Sequence, residues 1–271
     1  GRYTLQVRNQ TDPALWECRH ITDEPAADWL RTHAQDMAIG YDPWLHPAPA
    51  IERLSVPGVH LVPLPANPLD AVWADRPAAP MAEAVPHPLA YAGKPAAEKR
   101  SEAAAALREA GDAAAILSDP HSLAWLLNIR GGDLAHTPLA LGFAVLHDDA
   151  RVDLFMAPAK VPAETRTHLG NQVVVRPREE LPHALDALRS KRVRIDAETT
   201  PAWFVHWLTE AGATVSAGED PCRLPRACKN AVEREGARNA HHRDAVAMVR
   251  FLHWFAREAP KGGLSEIAAA E

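Results

Sequence analysis

From Ala96 to Gly212 the sequence switches repeatedly between helix-like and strand-like patterning, and this constrains the fold more than any other feature. The stretch AAEKRSEAAAALREAG is built of strong helix formers and closes at Gly111, the residue that most easily takes a left-handed C-terminal turn. AAAILS follows as a strand, and ALGFAVLHDDARVDLFM reads as two strands joined at Asp148-Asp149-Ala150. QVVVRP and RVRID are short strands separated by the helix PHALDALRS. PAWFVHWLTEAG is a further helix, ending at Gly212. Strands alternating with helices in this way predict an α/β fold with a mixed sheet.

The flanks are less regular. Tyr3, Leu5 and Val7 alternate with Arg2, Thr4, Gln6 and Arg8, which predicts a half-buried strand. PAADWLRTHAQDMA, from Pro25 to Ala38, predicts a helix with proline in its first turn, and VHLVPL at Val59 a short strand. Nine prolines between Pro57 and Pro95 mark an irregular boundary segment, because proline lacks a backbone donor and breaks both ladders and helices. Downstream, DPCRLPRACKN reads as a linker, and Asn230 with Glu233 forms a capping-box pattern that starts a long helix at Ala231. Gly236 within that helix costs about 1 kcal/mol relative to alanine, so packing must support it. After a turn at Pro260-Lys261-Gly262-Gly263, Ser265 reads as the N-cap of a helix that Glu271 enters by less than two turns. A strand under way at residue 3 and a helix barely begun at residue 271 suggest an internal stretch of a longer chain.

Composition excludes several functions. A net charge of −6 argues against a nucleic-acid or anionic-membrane partner, since either needs a concentrated basic surface. No apolar run reaches 18 residues, so no membrane-spanning helix is expected. Cys18, Cys222 and Cys228 cannot build a disulfide framework, which favours a reducing compartment such as the cytoplasm, and Cys-x5-Cys is not zinc-knuckle spacing.

The stretch AHHRDAVAMVRFLHWF offers His241, His242 and His253 as metal-ligand candidates. On a helix His241, Ala245, Met248, Leu252 and Phe255 fall on one apolar stripe, with Arg243, Arg250 and Arg257 opposite. His241 is therefore expected to be packed in a core and hydrogen-bonded. His242 and His253 share a face, but eleven residues separate them by roughly 16 Å, whereas ligand bonds are about 2 Å long. No metal site is expected there. Asp148-Asp149 sits at a hairpin turn, and Gly131-Gly132 lacks the Lys-Ser/Thr of a phosphate loop. Ser118 and Ser122 lack a nucleophile-elbow pattern, and His87, His121 and His136 are dispersed.

Five stretches, in this order, resemble the long, three-domain Xaa-Pro aminopeptidases of the creatinase/prolidase superfamily. They are GYDPWLHP, NPLDAVWADRPAAP, HPLAYAGKPAAEKR, DPHSLAWLLNIRGGDLAHTPLALGFAVL and KNAVEREGARNAHHRDAVAMVRFLHWF. Ala245 and Arg226 depart from the family's usual glycine and lysine. The resemblance implies creatinase-N-like mixed-sheet domains followed by the first helices of a pita-bread catalytic domain. It divides the chain into the C-terminal part of domain I (residues 1–86), domain II (87–220) and the start of the catalytic domain (221–271). It also implies release of the N-terminal residue from peptides with proline second. Two divalent metals, usually Mn2+, would share a bridging hydroxide, held by two Asp, one His and two Glu. In the family those ligands follow the helix that begins here at Ser265, so no metal, cofactor or catalytic residue is assigned within this chain, and the chain alone is expected to be inactive. Arg130, Asp133 and His136, around Gly131-Gly132, are candidates for the rim of a substrate pocket; a buried Arg130–Asp133 pair that merely fixes the turn is the simpler expectation. Trp44 and His46, between Pro43 and Pro47, are weaker candidates and read first as a rigid loop. The implied partners are proline-containing peptides and a second copy of the complete protein. A non-catalytic scaffold of the same superfamily, or a prolidase- or creatinase-type hydrolase, is the alternative.

Overall fold

The structure, a computed structural model, describes residues 3–270, so Gly1, Arg2 and Glu271 lie outside the described residues. The chain begins α1 (Tyr3–Gln10), α2 (Ala26–His33), β1 (Met37–Tyr41), α3 (Ala48–Leu54), β2 (Val59–Pro63) and α4 (Pro68–Val72). It continues through β3 (Val85–Pro86), α5 (Leu89–Ala92), α6 (Ala96–Glu109), β4 (Ala114–Leu117), α7 (Pro120–Leu126), β5 (Ile129–Arg130), β6 (Phe143–His147) and β7 (Val152–Phe155). Next come α8 (Ala163–Leu169), β8 (Val173–Arg176), α9 (Leu181–Asp186), β9 (Arg192–Ile195), α10 (Ala202–Ala211) and β10 (Thr214–Ala217). The last helices are α11 (Arg223–Ala227), α12 (Ala231–Glu258) and α13 (Glu266–Ala270).

Two compact units emerge, one combining Gly1–Ala79 with Leu181–Glu219 and the other Pro80–Glu180 with Asp220–Glu271. In the second, β4, β6, β7 and β8 lie side by side. The β4–β6 and β6–β7 pairs are antiparallel and β7–β8 is parallel, so the sheet is mixed, as the alternating pattern predicts. The β6–β7 hairpin turns where Asp148-Asp149-Ala150 places it, with Ala150 left-handed at φ 70°. All four residues of β4 are buried, and Leu107 of α6, Leu123 and Leu126 of α7, Leu146 of β6 and Leu154 of β7 join it in one continuous core. Burial of β4 on both faces explains why AAAIL reads as an unbroken apolar run and not as an alternation.

In the first unit β1 and β2 pair in parallel, Met37 opposite Val59, over a small core of Ala34, Val56 and Val59. β9 and β10 also pair in parallel, and α10 closes at Gly212, φ 83°.

Three expectations are overturned. Residues 3–7 are helical, within α1, and none of its residues is buried. With no neighbouring strand to receive its hydrogen bonds, so short an alternation satisfies its backbone locally as a helix. The helix expected to reach Ala38 stops at His33, because Met37–Tyr41 is claimed by pairing with β2, and Asp36 makes the turn at φ 58°. Third, the capping box at Asn230 and Glu233 forms and α12 runs 28 residues, yet none is buried. His241 is exposed, its Nδ1 2.9 Å from the Ala237 carbonyl, so it is hydrogen-bonded but not core-packed. The apolar stripe exists in the helix; among the described residues nothing covers it.

Candidate functional site

The second unit carries a half-open cavity of about 1040 Å³, lined by α5, α7, the loop between β5 and β6, α11 and the first turns of α12. Each wall has a local cause. Asp119 caps α7 through the His121 backbone N–H, and Asn230 caps α12. The Asn230 amide also donates to the Ala92 carbonyl at the end of α5 (2.8 Å), tying two walls together.

The floor is organised by a buried lysine. Lys99 of α6 is 2% exposed, and its Nζ donates to Asn128 Oδ1 (2.7 Å) and the Trp125 carbonyl (3.1 Å). The ammonium also lies 4.6 Å from the Trp125 ring centroid, a cation–π contact. Burial pulls the Lys99 pKa down to about 8; Glu233 opposes this, and Arg130 adds to it. Asn128 sits left-handed at φ 49°, and its carbonyl accepts from the His87 N–H (2.7 Å) where β3 pairs with β5. In this way the lysine holds the short β3–β5 ribbon that delivers His87 and Arg130 to the cavity.

Arg130 lines the cavity. Its Nη1 donates to the Ile129 (2.8 Å) and Ala124 (3.2 Å) carbonyls, which fixes the guanidinium. Burial lowers its pKa, with Glu233 pulling the other way. His87 stands across from Tyr91, and burial, then the positive charges of Arg130 and Lys99, depress its pKa. At the mouth, Arg226 Nη1 lies 2.7 Å from Asp119 Oδ2, and His121 Nδ1 2.9 Å from Asp119 Oδ1. Burial would raise the Asp119 pKa, but the His121 N–H, Arg226 and the His121 ring together hold it below the ordinary carboxylate value.

The other candidates are separated from Arg130. Asp133 does not pair with it: its fully buried carboxylate pairs with Lys160 and accepts from the Leu141 (2.7 Å) and Ala82 (3.1 Å) N–H groups. The expected Arg130–Asp133 pair is thus replaced by a partner 27 residues away. His136 is exposed at φ 60°, at the tip of the loop. Gly131 permits the sharp exit from β5, since a Cβ there would meet the Ala140 backbone nitrogen at 2.7 Å. Trp44, in the first unit, stacks on Trp203 (4.2 Å between centroids), and His46 meets Tyr41 edge-on. Their loop is pinned to the start of α10 by the Trp203 N–H to Pro43 carbonyl bond (3.0 Å) and the Ala202 N–H to His46 carbonyl bond (2.8 Å).

Sequence spacing does not join His87 and His121, yet both line the same cavity, His87 placed by the β3–β5 pairing and His121 by α7. Lys99 and Lys160 give no local signal either, being buried charges on otherwise ordinary segments. Among the described residues no three His, Cys, Asp or Glu side chains converge as a metal-holding group, so the residues present do not fit a dinuclear centre. No helix among them is long and apolar enough to cross a membrane.

Residues 75–233 match the family model described as the creatinase/prolidase N-terminal domain. Two fungal relatives, each named "Probable Xaa-Pro aminopeptidase P", align with 100% of the chain. The one from Talaromyces stipitatus is 30% identical, with 44% of its length covered, and the one from Aspergillus niger is 31% identical, with 47% covered. The chain thus spans a little under half the length of these relatives. The crystal structure of X-prolyl aminopeptidase from Caenorhabditis elegans, described as a cytosolic enzyme with a di-nuclear active site, superimposes with a TM-score of 0.82 at 26% identity. That match covers 100% of this chain and 46% of the nematode enzyme.

Proposed function

The chain belongs to the creatinase/prolidase N-terminal domain family, and on that premise we propose that it is part of a cytoplasmic, metal-dependent Xaa-Pro aminopeptidase. The substrate is a peptide with proline in second position, and the product is the released N-terminal residue. The observation carrying this reading is the alignment of the entire chain with relatives named for that activity, joined to the whole-chain likeness to the nematode enzyme. In this reading residues 1–86 belong to the first creatinase-N-like domain, 87–220 to the second and 221–271 to the entry of the catalytic domain. The family match over residues 75–233 supports the middle segment.

Manganese is the metal we assign to the complete protein, by the oxygen-rich donor set of the family. No residue of this chain is assigned to hold it. The chain's contribution is to supply a preformed cavity whose wall carries Arg130, His87 and Trp125. The complete protein is expected to pair with a second copy of itself.

The test is hydrolysis of an Xaa-Pro tripeptide with Mn2+ supplied, by the 271-residue chain and by the protein extended to the length of its relatives. We expect turnover only from the extended protein, abolished by chelation. Turnover by the chain alone would overturn its assignment as a non-catalytic portion. An extended protein that binds the peptide yet never cleaves it would favour the scaffold member of the superfamily.

A further inference from the structure

The Arg130 cavity carries more than a rim. Arg130 Nη1 is committed to two backbone carbonyls, whereas its Nε and Nη2 donate to nothing among the described residues, and the residue makes no ion pair with any of them. A half-buried guanidinium with one edge clamped and the other unused is a fork set for a planar anion, since arginine bonds a carboxylate through two parallel N–H groups. Its desolvation is incompletely offset by Glu233, and that carboxylate is already engaged: Glu233 accepts from the Asn230 N–H in the capping box (2.9 Å).

The surroundings select the anion. Arg130, Lys229 and Arg243 line the cavity against Glu233 and Glu235, with Arg226 already paired to Asp119, a small cationic excess in a chain whose net charge is −6. Trp125, held by Lys99 beneath it, and Tyr91 add flat apolar wall. About 1040 Å³ admits a short peptide, and pockets with aromatic walls and a few fixed polar groups are the usual form of small-ligand sites.

We propose that Arg130 recognises the C-terminal carboxylate of a short peptide, so that the cavity favours substrates whose chain ends a few residues beyond the proline. This rests on the aminopeptidase reading for the identity of the ligand, though not for the existence of the anion site.

Calorimetric titration of the 271-residue chain with Ala-Pro-Ala and with its C-terminal amide tests the idea without any substitution. The free acid is expected to bind about ten-fold more tightly or better, a difference set by the charge-assisted bidentate contact. Arg130→Lys keeps the charge but not the fork and should erase most of that preference, with circular dichroism confirming the fold. Equal affinity for acid and amide overturns the proposal, even if the extended protein cleaves Xaa-Pro peptides normally. Inorganic phosphate binding as tightly as the tripeptide also overturns it, because the site would then be a general anion site. Ala-Ala-Ala separates the two readings: an equal acid-over-amide preference with this peptide supports the carboxylate site while removing the support for proline selection here.

Discussion

Lys99 shows most sharply how one residue can be locally unremarkable and structurally decisive. In sequence it is one of several charges on an alanine-rich helix; in the fold it is enclosed and bonded to Asn128, the Trp125 carbonyl and the Trp125 ring. Its pKa falls from 10.5 to about 8, chiefly through burial. Between those values the unfolded chain binds more protons than the folded one, so stability must rise with pH there. The charging penalty is fully present below about pH 8 and is relieved as pH climbs toward 10.5. Urea unfolding of the native chain and Lys99→Met at about pH 7 and about pH 10 should show the native chain gaining on the order of 2–3 kcal/mol relative to the variant. Parallel pH dependences would show that Lys99 holds its proton as an ordinary lysine does. Asp133 teaches the complementary lesson. The sequence marks it as a polar residue beside a tight Gly-Gly turn, but its partner Lys160 comes from beyond the β6–β7 hairpin. No spacing rule reaches that far.

Among elements, α12 was the most legible. Asn230 and Glu233 form the capping box that their spacing announces, because the motif is a reciprocal contact within four residues and needs nothing from elsewhere. Asn230 does one thing the motif does not announce, donating to Ala92 and so joining α12 to α5 across the cavity. Asn230→Ala should therefore cost more than a bare cap, about 2 kcal/mol in total, with the cap supplying about 1. Thermal or urea unfolding measures this, and a loss under about 0.5 kcal/mol would mean that neither bond matters. The short elements were less legible. The alternation at residues 3–7 gave a helix, and the end of α2 gave way to β1, since strand identity depends on a partner strand that can lie anywhere in the chain.

At the scale of the whole molecule, burial is distributed unevenly. The mixed sheet and the helices against it hold the continuous core, whereas Met248, Leu252 and Phe255 of α12 stay exposed despite their periodic spacing. Leu146→Ala should destabilise the chain by about 2–5 kcal/mol, as expected for a fully buried leucine. Phe255→Ala should change stability by no more than about 0.5 kcal/mol, although phenylalanine is the larger side chain. Comparable losses for the two would place α12 inside a core. By itself the sequence determined the α/β class, the hairpin at Asp148-Asp149, the glycine-closed helices and the capped start of α12, because each follows from hydrogen bonds and periodicity within a few residues. Only the tertiary structure decided which polar groups meet. The pairing of Asp133 with Lys160, the burial of Lys99 beneath Trp125, the gathering of His87, His121 and Arg130 around one cavity and the exposure of His241 all depend on long-range packing, where contact energy is set by segments remote in the chain.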